Sequence, residues 1–487
     1  MQIAFTKALE ENIIETFTYS YATNSFLYDG KEDDYDPIAT FIINARQEPF
    51  DTFMKLEGHG FKNALRAIKK YGFRYTPEQY NRAKVRYEII ELMKKECSDC
   101  VHYYIDETQG TGIVKVEDPH VYTTTETITV HNFIQKLPKR ALTTNLIYRE
   151  KIDRNILNTP EQMEAIELCL TYRTSCLIGG AGTGKSTVTS AIIDQLYAND
   201  LSVTILAPTH KARQQLQNKL KQGNVRTIHS YMYNPTQSDV IVIDEAGMMS
   251  TPMLAKIIKH HKPEQQLIFV GDKNQLEPID YGRPFELLQD LFPTATLKAN
   301  HRSEAKDIIC LAREIIGEPY NKNIALENIE QVDTVKEAFN RGAQVLLTYT
   351  NQARVEANAQ QKRKSGQPAI YPEWRVGDEI LAKTNVKHRH YNGQLFTITA
   401  YNEATAHDTH ETIRFRTPYE LQFNFDLAYG LTIHKSQGSE WDVVAYQPSD
   451  RDTQNLAYVA VTRAKKKLII VGNLPSEFQP KKEWKHL

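Results

Sequence analysis

Two short strings hold most of the residues that could do chemistry. Gly179 to Thr187 reads GGAGTGKST, which fits G-x4-G-K-S/T at Gly179, Gly184, Lys185 and Ser186. The backbone N–H groups of such a turn (Gly179, Gly180, Ala181, Gly182, Thr183, Gly184) can wrap phosphate oxygens, with Ser186 and Thr187 opening the helix behind them. Lys185 then meets the β- and γ-phosphates, and the Ser186 hydroxyl meets Mg²⁺. The second string, VIVIDEA, is a β-branched run from Val240 to Ile243 that ends in Asp244 and Glu245. One carboxylate can hold a metal while the other polarises water, so Asp244 is assigned to Mg²⁺ and Glu245 to the attacking water. The chemistry expected is phosphoryl transfer from ATP.

Such residues need a strand before the loop and a helix after it. Cys176-Leu177-Ile178 reads as the end of a buried strand, and Val188, Ala191, Ile192 and Leu196 keep helical spacing. From Asn158 to about Phe292, apolar runs of strand length (Val203 to Ala207, Val240 to Ile243, Leu267 to Val270) alternate with helical stretches, which predicts a doubly wound parallel sheet. A second cycle runs from Ala295, with strands at Val345 to Thr348 and Leu468 to Val471. Between these lie short β-type runs at Glu379 to Lys383, Leu395 to Tyr401, Thr412 to Phe415 and Tyr419 to Phe425, with Asn392-Gly393 as a hairpin turn. They predict a small SH3-like antiparallel barrel. Ahead of the sheets, Phe61 to Tyr71 and Pro77 to Glu96 read as helices, the second opened by Thr76-Pro77-Glu78, and Thr127 to Phe133 alternates as a strand would.

The expected fold is therefore α/β, with two doubly wound parallel-sheet domains, a β-barrel insertion and an α+β N-terminal domain. The expected division is 1–150 for the accessory domain, 151–292 for the first sheet domain, 293–365 with 427–487 for the second, and 366–426 for the insertion.

At 487 residues, 41% hydrophobic and 24% charged, the chain has ordinary globular composition and can bury real cores. Its formal net charge of −1 offers no global field for a polyanion, so any nucleic acid must be held by local basic surface. Thr209 to His229 supplies one, with Lys211, Arg213, Lys219, Lys221 and Arg226 and no acidic residue; Arg463 with Lys465, Lys466 and Lys467 supplies another. Five scattered cysteines argue against a disulfide framework and for a cytoplasmic setting, a host cytoplasm if the source is viral. Cys97-x2-Cys100 with His102 is half of a zinc pattern without a second half. No apolar run approaches the length of a membrane span.

The remaining strings, in order, are APTHKA (Ala207 to Ala212), TIHS (Thr227 to Ser230), GDKNQLEPID (Gly271 to Asp280), LKANHRSE, GLTIHKSQGSEWDVV (Gly430 to Val444) and LAYVAVTRAKKKLIIVG. Gln275 stands where an amide could sense the γ-phosphate, and Arg302 and Arg463 are placed to neutralise charge in the transition state. This set resembles that of superfamily 1 DNA helicases, most closely the RecD and phage Dda branch, over roughly Leu157 to Gly472. The resemblance implies two RecA-like domains with ATP between them, single-stranded DNA across their top, 5′→3′ movement, and forked or tailed duplex DNA as substrate. It implies further that Gln162 reads the adenine edge, that Glu440 contacts the ribose, and that Thr209, His210, His229, Thr432 and His434 contact DNA phosphates or bases. His301 stands where relatives outside this branch often carry a Tyr stacked on adenine.

Other readings are a translocase or RNA-directed remodeller that does not separate strands, and an N-terminal docking module for a replication or single-strand-binding protein. The branch usually carries a β-hairpin pin between the TIHS-type motif and the acidic strand. Here only YMYNPTQSD intervenes, which leaves Tyr231, Tyr233 and Pro235 as a reduced wedge, or places the wedge in residues 1–150.

Overall fold

The computed structural model describes residues 45, 47–54, 61–70, 73–96, 98, 100–102, 113–117, 121–139, 159–180, 182–272, 274–298, 305–320, 325–362, 369–371, 374–386, 389–475 and 478. Cys97, Ala181, His301 and Arg302 lie outside these, and so do the side chains of Cys100 and His102. Among the described residues no helix is long and apolar enough to cross a membrane, and no group of three metal-type ligands comes together.

After three short N-terminal strands, β1 (Cys100–His102), β2 (Ile113–Glu117) and β3 (Val121–Thr124), six strands build the first large sheet: β4 (Thr174–Gly179), β5 (Val203–Ala207), β6 (Val225–Thr227), β7 (Val240–Ile243), β8 (Gln266–Gly271) and β9 (Thr294–Leu297). They are all parallel in the order β6-β5-β7-β8-β4-β9. Strands buried on both faces read as continuous apolar runs, which is why β7 and β8 were legible in the sequence. Leu177, Val242 and Ile268 face one core, and Ile241, Ile243 and Phe269 face the other.

The second large sheet holds β10 (Ile329–Val332), β11 (Val345–Thr348), β19 (Gly430–Thr432), β20 (Trp441–Gln447) and β21 (Ala464–Val471), again all parallel, in the order β10-β21-β20-β11-β19. One expected boundary moves. Thr294–Leu297 pairs with β4 from Cys176↔Thr294 to Gly179↔Leu297, so Ala295 ends the first sheet and does not begin the second cycle.

Between β11 and β19 the chain makes a hairpin of β12 (Ala369–Tyr371) and β13 (Trp374–Arg375). A five-stranded antiparallel sheet follows: β14 (Glu379–Ala382), β15 (Leu395–Ala400), β16 (Glu403–Ala406), β17 (Thr412–Arg414) and β18 (Phe425–Leu427). Its order is β17-β16-β15-β14-β18. The expectation missed β16 and made Tyr419 to Phe425 a strand; Pro418–Asn424 is a helix and only then does β18 begin. The reason is a cap: the Thr417 hydroxyl accepts from Glu420 N, with proline at the first helical position. Asn392-Gly393 is not a two-residue hairpin turn either. It closes a longer excursion in which Gly393 N donates to Ala382 O at 2.9 Å.

The alternation at Thr127 to Phe133 also misled. Thr125–Lys136 is a helix, capped by Thr124, whose hydroxyl accepts from Thr127 N. Val130 and Ile134 sit four apart on its buried face, and with Leu137 they join the core around Ile241, Ile243 and Phe269. The packing unit of the first sheet thus reaches back before residue 151. Ile134→Ala is expected to cost about 3 kcal/mol and to lower the melting temperature of the whole first-sheet domain. Melting of a separate N-terminal transition alone would contradict the shared core.

Candidate functional site

The phosphate-type loop follows β4 and opens the helix Lys185–Ala198. Gly182 and Gly184 have φ of 79° and 84°, a left-handed conformation that lets the loop curl back on itself and that side chains resist. Thr183 Oγ1 donates to Gly180 O at 2.9 Å, and Lys185 Nζ donates to the carbonyls of Gly179 and Gly180. Ser186 and Thr187 occupy the first turn of the helix. This turn borders a cavity of about 510 Å³, whose walls include Gly179, Gly180 and Asp272 from the first sheet and Tyr458 and Thr462 from the second.

Asp244 and Glu245 lie at the carboxyl end of β7. Burial, and next the neighbouring Glu245 carboxylate, push the Asp244 carboxyl up to about 7, with Lys185 among the groups that oppose the shift. Glu245 has φ of 52°, a conformation uncommon for a residue with a side chain, held beside the turn Ala246–Met248. The Asp244 and Glu245 carboxylates and the Ser186 hydroxyl are oxygen donors of the kind that suits a hard divalent cation such as Mg²⁺.

The second sheet brings one of the two expected arginines to this place. Arg463 is 5% exposed; its Nε donates to Val459 O at 3.0 Å, Nη1 to Ser439 O at 3.3 Å and Nη2 to Thr462 Oγ1 at 3.2 Å. Burial holds its guanidinium below the usual range, opposed by Glu245, Tyr458 and Asp272, so the charges that balance it lie largely across the cleft. The sequence reading had not singled out Asp272. It is buried, accepts from Tyr458 Oη at 3.3 Å and from Asn274 N at 2.9 Å, and Asn274 Nδ2 in turn donates to Glu318 Oε1 at 3.1 Å. The signal available was the acidic residue immediately after a buried strand in GDKNQ. Gln275 stays in this loop, its N–H donating to Asp272 O at 3.4 Å.

Gln162 is buried in the first turn of the helix Pro160–Thr171; the adjacent Glu161 accepts from the backbone N of Lys298, which lines the cavity. Glu440 is not brought to the phosphate loop. It pairs with Lys465 at 3.8 Å and lines a different cavity, on the side of the insertion.

The five residues expected at DNA share one local design. Both sheets end in an edge strand followed by Thr-Ile-His: β6 leads into Thr227-Ile228-His229, and β19 into Thr432-Ile433-His434. Each Thr caps a short helix, with Thr227 Oγ1 accepting from Ser230 N at 3.1 Å and Thr432 Oγ1 from Lys435 N at 3.4 Å. Thr209 does the same after β5, accepting from Ala212 N at 3.1 Å, and thereby presents His210. Burial, then Arg213 and His229, hold His210 below the usual imidazole range, so at pH 7 its ring is neutral and suited to stacking and hydrogen bonding. It stacks on Tyr391 of the insertion, with centroids 5.8 Å apart. His434 is likewise held down by burial.

Residues 157–339 match the AAA domain family, and residues 427–471 match the UvrD-like helicase C-terminal domain. The ATP-dependent RecD2 DNA helicase of Deinococcus radiodurans is 27% identical over 85% of this chain, which spans 63% of that protein's length. The RecBCD enzyme subunit RecD of Mycolicibacterium smegmatis is 26% identical over 64% of this chain and 70% of its own. Among solved structures, the Pif1 helicase from Bacteroides in complex with ADP-AlF3 and ssDNA covers 66% of this chain and 94% of that chain at 19% identity, with a TM-score of 0.48.

Proposed function

We propose, from its matches to an AAA domain, a UvrD-like helicase C-terminal domain and RecD-type helicases, that the chain is a superfamily 1 helicase of the RecD-like branch, an ATP-driven motor that moves along single-stranded DNA and separates duplex ahead of it. The observation that carries this reading is the cleft itself, lined by Gly179 and Gly180 of the phosphate loop and by Tyr458 and Thr462 of the other sheet domain, with Glu245 and Asp272 of the first sheet among the charges acting on the buried Arg463. Mg²⁺, when bound by Ser186 and Asp244, supplies charge neutralisation at the β- and γ-phosphates. Lys185 binds the same phosphates, Glu245 orients the attacking water and takes its proton, and Gln275 senses the γ-phosphate. Arg463, with Arg302, meets the charge that develops as the bond breaks. Gln162 holds the adenine. Because the arginine and the carboxylates belong to different sheets, turnover and relative movement of the sheets are the same event.

The DNA lies across the two Thr-Ile-His ends, contacted by Thr209, His210 and His229 on one sheet and by Thr432 and His434 on the other. Such contacts read backbone and stacking, not sequence, and weaken with salt. ATP hydrolysis stimulated by oligothymidylate, and not by an RNA of equal length, is the expected result; preference for RNA would favour the remodeller reading.

The strand-separating wedge is the part that the motifs do not supply. Tyr231 is 0% exposed, packed in the first-sheet core with its ring beside Arg226, so it cannot meet a base pair. The segment after β6 forms the helix Ile228–Tyr233 and then runs irregularly to β7, with no hairpin. Pro235 is exposed but stands in that short run. We assign the wedge to the N-terminal unit, which is fastened to the motor at Tyr281: Thr124 Oγ1 and Tyr281 Oη lie 2.9 Å apart, and Tyr281 packs with Ile89, Met93 and Ile113.

A further inference from the structure

The basic stretch read in the sequence includes a lysine that the ATP site and the DNA contacts leave without a role. Lys211 is the second residue of the helix His210–Gln217, whose Gln215 reaches Gly438 of the second sheet domain and whose His210 stacks on Tyr391 of the insertion. Its ammonium nitrogen is enclosed and has no hydrogen-bond partner among the described residues. It lies at the wall of a cavity of about 830 Å³ where helix, insertion and second sheet meet. The charged groups acting on it most are Arg463, which repels it, and Asp408, which attracts it. The Asp408 carboxylate is already engaged by Tyr391 Oη and by Gln394 Nε2, the latter at 2.9 Å.

The same helix holds the loop that supports Arg463. Gln215 Nε2 donates to Gly438 O, and the next residue, Ser439, accepts from Arg463 Nη1 at 3.3 Å. Gly438 has φ of +71°, and a methyl there would stand 3.2 Å from Gln215 Oε1 and 3.5 Å from Lys211 Cδ, so helix and loop are in close contact. Lys211 and the Arg463 that repels it thereby stand on the two sides of one joint between the sheets. A buried ammonium without an acceptor disfavours whatever arrangement buries it.

Resting on the motor reading above, we infer that Lys211 is a charge brake on closure of the cleft, released when a backbone phosphate of the bound strand comes to rest on its ammonium. The anion is available there because Thr209 and His210, the residues immediately before it, are DNA contacts in that reading. Burial and Arg463 push the Lys211 ammonium down to about 7 against the pull of Asp408, as expected of a cation whose partner is supplied from outside. Lys211 is a positioning residue: it acts on hydrolysis through Gly438, Ser439 and Arg463.

Steady-state ATP hydrolysis of the full chain, without nucleic acid and with saturating oligothymidylate, tests this on wild type, Lys211→Met and Lys211→Arg. Lys211→Met is expected to hydrolyse ATP about tenfold faster than wild type in the absence of DNA and to gain little from adding it, a coupling of ordinary allosteric size. Lys211→Arg keeps the wild-type dependence. The melting temperature of Lys211→Met stays at or above that of wild type, since the variant loses a buried charge and no bond. A wild-type DNA-free rate in Lys211→Met, even with weakened DNA affinity, makes the residue a simple phosphate contact and overturns the brake. So does a folded but inactive variant, or one that melts lower. Stimulation of wild type by inorganic phosphate at the same phosphate concentration would take the anion away from the strand. Wild type that ignores oligothymidylate altogether would remove the motor reading instead.

Discussion

Lys185→Ala is expected to abolish ATP hydrolysis and to weaken nucleotide binding, while Glu245→Gln keeps binding and loses turnover by about 10²- to 10⁴-fold. The two losses differ because the residues meet different stages of the reaction. Lys185 opens the helix behind the phosphate loop, and its ammonium lies against the loop carbonyls of Gly179 and Gly180; in the proposed reading it compensates phosphate charge in ground state and transition state alike. Glu245 contributes only when water attacks, and glutamine keeps its size and its place in a left-handed backbone position. Binding measured with a fluorescent ATP analogue, beside single-turnover hydrolysis, separates the two. Equal ATP affinity in wild type and Lys185→Ala would sink the phosphate-loop assignment.

Arg463→Lys is expected to cut kcat by on the order of 10³, the scale of a removed arginine finger, with KM for ATP little changed. Lysine is the informative replacement. The side chain is buried and its guanidinium donates to the backbone carbonyls of Val459 and Ser439; Val459 O keeps the Thr462 hydroxyl, but alanine would take this donor from Ser439 O at about 1–3 kcal/mol and confuse a folding defect with a catalytic one. Lysine keeps the charge but cannot reach several acceptors in one plane. Arg302→Ala carries the same expected loss. A folded Arg463→Lys that hydrolyses at near wild-type rate takes Arg463 out of the reaction.

The parts of this molecule that were readable in the sequence are those where local pattern and tertiary demand agree. Val240 to Ile243 had to be a strand because a four-residue β-branched run ending in two carboxylates has no stable place except the interior of a parallel sheet. The glycines before Lys185 had to be a turn for the conformational reason that Gly182 and Gly184 display. Where pattern and cap disagreed, the cap prevailed: Thr124 turned an alternating stretch into a helix, and Thr417-Pro418 did so again, with the Thr-Pro opening that also starts the helix after Thr76. Packing between units was not legible at all. Nothing local marks Arg463 as buried, Glu440 as turned toward the insertion, or Tyr391 as the ring that stacks on His210. These follow from how the two sheets and the insertion meet, and that information is spread over the chain.

Strand separation by the full chain on a matched pair of duplexes, one with a 5′ and one with a 3′ single-stranded tail, tests the central claim most directly when ATP consumption is followed in the same reaction. The motor account predicts that the 5′-tailed duplex is unwound in the presence of ATP and Mg²⁺, that the 3′-tailed one is not, and that Glu245→Gln unwinds neither while still binding both. ATP hydrolysis stimulated by either tail with no strand released from either duplex would contradict it.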